Sequence, residues 1–233
     1  MPRDARAPVA AALFFVLVLA GSWGPGPLVP ALGRLQVALA IAAPLLAVAL
    51  GPLAGARRAW ALLAGSTALA TLVIAARAGP ALGDAVPLLL FLVATLAWCA
   101  AWIGIVRLLG ALVPRRGAAF AAGVAAWLLF VILWSVIEVA LLLQQYGAVA
   151  LRAPQEIPAP WWLALVEALN PNSAWKDLLA TLIPGFVDRA ASLATIVGAP
   201  GYAWPTFAFA LAAWIAAPPI AAAILTRRRQ ARP

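Results

Sequence analysis

Histidine is absent from this 233-residue chain, cysteine occurs once, at Cys99, and methionine only as Met1. One cysteine cannot close an internal disulfide. Haem, copper and zinc sites draw mainly on His, Cys and Met, so the chain has almost no ligands for them and no cofactor is expected. Ser–His and Cys–His nucleophile arrangements are excluded outright. Lysine also occurs once, as Lys176 between Trp175 and Asp177. A phosphate-binding P-loop needs Gly-Lys-Ser/Thr, so any ATPase has to be a separate chain. The expectation is that the protein is not an enzyme. Charge is scarce too, at 10% of residues against about a quarter in soluble domains.

What fills the space is apolar, 66% of residues, with a mean hydropathy of +1.03. That surface exceeds what one water-soluble core can bury, and disorder is excluded by the same composition. A hydrocarbon core about 30 Å thick takes roughly 20 apolar residues per helix. The pattern predicts one all-α transmembrane domain, a polytopic helix bundle of about six spans: 8–23, 35–54, 59–76, 85–109, 118–143 and 206–224. The first span is short and follows Arg3 and Arg6, as a signal peptide would, but its Leu-Ala-Gly-Ser-Trp end is a poor cleavage site. An uncleaved span is expected.

One long connection, 144–205, separates the last two spans. It holds Glu156, Glu167, Asp177 and Asp188 together with Trp161, Trp162, Trp175, Tyr146 and Tyr202. Such aromatics settle at membrane interfaces. Two short helices, 160–169 and 173–182, are expected to lie on the bilayer surface, parted by Asn170-Pro171.

The net charge is +9, yet the basic residues sit at the ends of apolar runs rather than on a soluble face, so nucleic acid is not the expected partner. With the N-terminus inside, Lys and Arg divide 11 inside to 5 outside, counting Arg57, Arg58, Arg107, Arg115, Arg116 and the Arg227–Arg229 tail among the former. That bias orients both termini to the cytoplasm and the long connection outward.

Several residues are candidates for function. Glu138 is the one acid inside a clear span, a candidate intramembrane polar site or a group that snorkels to the nearer interface. Arg107 is expected to anchor at the cytoplasmic face. Arg57, Arg58, Arg115 and Arg116 are candidate cytoplasmic contacts. Gly104, Gly110, Gly117 and Gly123 are candidates for close helix approach, although none has GxxxG spacing. Carboxylate pairs are not suggested, because Glu167 and Asp177 fall on separate helices.

The stretch from Gly117 to Leu143 runs from small residues through Trp127-Leu-Leu-Phe-Val131 to the helix-borne acid Glu138. It resembles the fifth helix of type 2 ABC transporter permeases, in particular the NosY-like branch that serves nitrous oxide reductase maturation. The segment Leu169-Asn-Pro-Asn-Ser-Ala-Trp-Lys-Asp-Leu-Leu179 resembles that family's Asn-Pro-x-Asp-x-aromatic-Arg segment, with Asn170, Pro171, Trp175 and Lys176 in matching places and Ser for the usual Asp. The family acid is usually an Asp a few residues before the position of Glu138. The likeness covers about 101–229. It implies a permease fold in a bacterial inner membrane, with other membrane subunits, a periplasmic protein, a separate ABC ATPase or a second copy as partners. Trp161, Trp162, Asn170, Pro171, Trp175 and Lys176 become candidate partner or gate contacts.

The first half departs from the family. Its cytoplasmic segment after the second helix carries acids and a coupling helix that docks into the ATPase. Here Gly51-Pro-Leu-Ala-Gly-Ala-Arg-Arg58 joins the second and third spans, and the amphipathic segment before the first span is about seven residues. Two expectations follow: a permease-like subunit without ATP coupling that anchors or scaffolds a larger complex, or an active permease subunit working with a separate ATPase.

Overall fold

The computed structural model describes residues 3–51, 55–113, 115–147, 160–186 and 204–231, and the side chains of all of these except 3–6, 56 and 161. Residues 148–159 and 187–203 of the long connection, including Arg152, Glu156, Asp188, Arg189 and Tyr202, therefore lie outside the described residues, as do Pro52 and Pro114. Every regular element among the described residues is helical: α1 (Arg3–Ser22), α2 (Leu28–Leu50), α3 (Ala56–Ala78), a 3₁₀ turn (Leu82–Asp84), α4 (Ala85–Leu112), α5 (Arg116–Trp127), a π segment (Leu128–Leu133), α6 (Trp134–Tyr146), α7 (Trp161–Ala168), α8 (Pro171–Leu182) and α9 (Trp204–Gln230).

Five helical stretches are long and apolar enough to cross a membrane: Leu28–Leu50, Arg57–Ala78, Leu82–Leu112, Arg116–Tyr146 and Trp204–Gln230. Ala7–Ser22 is a shorter apolar helix. In lipid each backbone N–H and C=O must be satisfied within its own helix, which selects long uninterrupted helices over capped short ones. Accordingly α2, α3, α4 and α5 begin without a side-chain cap.

The second span begins well before residue 35. Pro27 stands at the N-cap of α2, and Pro30 falls in the first turn, where a missing N–H costs nothing because that donor has no helical partner anyway. Arg34 therefore sits on the helix, and its guanidinium donates back to the carbonyls of Gly24 (3.1 Å) and Pro25 (3.3 Å), closing the α1–α2 turn. At the same end Arg77 lies 3.7 Å over the Trp23 ring, tying α3 to α1.

The long helices alternate in direction, so two ends are defined. One gathers Arg57, Arg58, Arg107, Arg115, Arg116 and Arg227–Arg229; the other holds the 22–28 and 78–85 connections, Gly147 and Trp204. α4 and α9 run parallel and make the most extensive helix pair. Gly104 is the point of closest approach: a Cβ there would meet Pro219 Cδ at 3.1 Å. Gly123 similarly admits Val48 of α2, whose Cγ1 would lie 2.8 Å from an added Cβ. Gly110 and Gly117 have nothing within 4 Å, so two of the four candidate glycines serve close packing.

Candidate functional site

α7 and α8 do not lie across the end of the bundle. They fold back into it as a hairpin whose tip, Asn170-Pro171-Asn172, reaches the middle of the long helices. Trp98, at the midpoint of α4, donates from Nε1 to Asn172 Oδ1 at 2.9 Å, and Trp102 one turn on donates to the same oxygen at 3.1 Å. Asn170 and Asn172 both donate from Nδ2 to the carbonyl of Phe130, at 2.9 and 3.2 Å. The depth follows from these partners, since Phe130 is also near the centre of its own 31-residue helix.

Local chemistry explains the tip. Asn170 occupies the N-cap of α8, its Oδ1 accepts the Asn172 N–H at 2.9 Å, and Pro171 takes the first helical position, where its fixed φ suits a helix start. Asn172 thereby uses its backbone N–H, its carbonyl oxygen and its amide in one apolar interior. The π segment provides the acceptor. Its wider turn, seen in the Trp134 N–H bonding back five residues to Leu129, loosens the ladder where Phe130 O is approached from outside.

Aromatic packing clamps the rising arm. Trp175 stacks on Trp98 with ring centroids 4.1 Å apart and planes 11° from parallel, and its Nε1 donates to Thr95 Oγ1 at 3.3 Å. Phe186 meets Phe91 one level further toward the end of α4. On the descending arm, Trp162 Nε1 donates to Gln145 Oε1 at 2.9 Å, and Trp214 of α9 donates to the Ala168 carbonyl at 3.2 Å.

The same hairpin brings charges together. Lys176 lies in the field of Asp177, Glu138 and Glu167. Two of these acids, Glu167 and Asp177, sit on the two arms of the hairpin. Glu138 itself is 3% exposed and faces α8 rather than snorkelling to an interface, and its Oε1 has no hydrogen-bond partner among the described residues. The charges of these three carboxyls act on Lys176 in a setting where an unpaired charge is costly.

No protein-family model and no curated protein matches the chain. The assignment of roles therefore rests on geometry. Of the sequence candidates, Asn170, Pro171 and Trp175 are buried and hold the hairpin rather than presenting a contact surface. Lys176 joins the charge cluster with Glu138. Trp162 is half-buried at the hairpin's mouth, and the Trp161 side chain lies outside the described residues. Arg57, Arg58, Arg115 and Arg116 are exposed at the basic end. Trp98, Trp102, Thr95 and the Phe130 carbonyl are new members of the site. The i, i+4 spacing of Trp98 and Trp102 places both on one helix face, but nothing local names their partner. Among the described residues no group of three or more His, Cys, Asp or Glu could hold a metal ion.

Proposed function

We propose that the chain is a six-span subunit, resembling type 2 ABC permeases of the NosY-like branch, that has no ATP-coupling element and acts as an anchor or scaffold in a larger membrane complex. The observation that carries this is the brevity of the basic end. α2 stops at Leu50 and α3 starts at Ala56; α4 stops at Leu112 and α5 starts at Arg116. Five and three residues leave no room for a helix to receive force from a nucleotide-binding subunit. The gathering of arginines at that end supports a cytoplasmic location for it in a bacterial inner membrane, with the hairpin entering from the periplasmic side.

The exposed flank of α5 and α6 supports a role in assembly. Only 11% of an 18-residue apolar stretch of Arg116–Tyr146 is buried within the chain, against 67% of the corresponding stretch of α2. That flank is open to lipid, to a second copy or to another membrane subunit. The alternative, an active permease subunit with a separate ATPase, draws support from the buried charge cluster, which is a costly feature for an inert anchor.

Gentle solubilisation of the native complex, with identification of stoichiometric partners, tests the proposal. Other membrane or redox subunits are expected, with no Walker-motif ATPase among them. A stoichiometric ATPase whose hydrolysis the chain stimulates overturns it in favour of transport.

A further inference from the structure

At the basic end two open grooves run side by side along α4. The first, about 520 Å³, lies between α3, α4 and α9 and is lined by Arg57, Trp60, Gly104, Arg107 and Pro219 among others. The second, about 470 Å³, lies between α4 and α9 and includes Arg107, Gly110, Thr226 and Arg227. Arg107 is the wall they share. Both volumes fall in the range of small-molecule sites, roughly 300–1,000 Å³.

Sequence explains the grooves. Gly104 against Pro219 brings α4 and α9 together at one level. Toward the basic end, Gly110, Ala111, Ala222 and Ala223 then face the gap with side chains too small to fill it. The floor of the first groove is apolar and extends inward from Arg107 to Ala100, seven residues or about 10 Å along the helix. Its rim is cationic, with Trp60 about one turn inward from Arg57 at the depth where an indole suits the membrane interface. Among the described residues no carboxylate lines either groove. Of the acids whose side chains are described, Asp84, Glu138, Glu167 and Asp177 all lie toward the opposite end or in the hairpin; Asp4 stands in the first turn of α1, at the basic end.

We infer that this double groove is a binding site for an anionic phospholipid, its phosphate held among Arg57, Arg107 and Arg227 and its acyl chains laid along the α4–α9 seam. The charge complementarity commits the occupant: a rim lined by arginines above an apolar slot open to the bilayer fits a negatively charged headgroup carrying hydrocarbon. A zwitterionic lipid satisfies the slot but not the rim, and free phosphate satisfies the rim but not the slot. Arginine that merely anchors the helix at the interface needs no headgroup preference. The inference stands independently of the scaffold proposal.

The test is native mass spectrometry of the purified full-length protein in detergent with added phosphatidylglycerol or phosphatidylcholine, paired with thermal unfolding under the same conditions. Phosphatidylglycerol is expected to remain bound and raise the unfolding midpoint, while phosphatidylcholine and inorganic phosphate do neither. With about 1 kcal/mol attached to each basic residue at an anionic surface, R57Q/R107Q weakens phosphatidylglycerol binding about thirtyfold. Arg34→Gln, at the opposite end, leaves it unchanged. Equal retention of the two lipids by the wild type overturns the inference, and that arm does not depend on any variant folding. Retention of the preference in a folded R57Q/R107Q protein overturns the placement of the site. Stabilisation by phosphate alone assigns the rim to a soluble anion and also overturns it.

Discussion

Asn172 is the residue on which the hairpin's position turns. Its carbonyl oxygen serves two indoles while its amide serves a main-chain oxygen on a third helix. A leucine in its place keeps the branched shape but orphans both Trp98 and Trp102 N–H groups, each at a cost of about 1–3 kcal/mol. Asn172→Leu is therefore expected to lower unfolding stability in detergent strongly and to shift tryptophan emission, whereas Trp98→Phe, which removes donor and demand together, costs less. The charge cluster obeys a similar asymmetry. Lys176→Met removes a cation from the field of three carboxyls and is expected to lower unfolding stability. Glu138→Gln removes one of three competing acids and is expected to be far milder. Equal losses in chemical unfolding would contradict that account of the cluster. The break at Asn170-Pro171 was legible, but the helix after it starts at Pro171 rather than 173, because Asn170 caps it. The depth of that break was not: the partners stand 74 and 70 residues away, and an indole inside a membrane reads the same as one at its surface until its acceptor is known.

Among the helices, the apolar runs located the long elements well and their boundaries less well. α2 starts seven residues before its expected position because a proline in the first turn is tolerated, and the expected extension past Gly51 stops at Leu50. The hairpin arms were found as helices, at Trp161–Ala168 and Pro171–Leu182, but their aromatic content was misleading about location. Tryptophan here supplies hydrogen-bonded packing between helices: Trp127 Nε1 donates to the Ile41 carbonyl at 3.0 Å, joining α5 to α2 in the same manner. The glycines separate cleanly in a substitution experiment. Gly123→Val overfills the α2 contact at Val48 and is expected to destabilise by about 1–3 kcal/mol. Gly110→Ala meets open space and is expected to stabilise by about 0.5–1 kcal/mol through helix propensity. Thermal unfolding of both proteins in one detergent checks the opposite signs.

For the whole molecule, the asymmetry of charge between the two ends makes orientation testable with one reagent. Cys99 is fully buried, so the native chain has a silent thiol background. Leu82 is 99% exposed at the acid-bearing end, and Arg228 is exposed at the basic end. A membrane-impermeant maleimide applied to intact spheroplasts is expected to label Leu82→Cys and not Arg228→Cys, and to label both after lysis. The reverse pattern would invert the proposed topology.

The hairpin carries a consequence for how the protein is made. Eight and twelve residues are too few for either arm to cross a bilayer, so neither is retained by its own hydrophobicity. Its anchoring groups arrive at different times: Trp98 and the Phe130 carbonyl precede it in the chain, but Trp214, which satisfies the Ala168 carbonyl, belongs to the last helix. The hairpin is expected to seat fully only once α9 supplies Trp214. The last helix is thus a latch, and truncating it before Trp214 should leave an inserted protein whose hairpin is open to protease from the outer side.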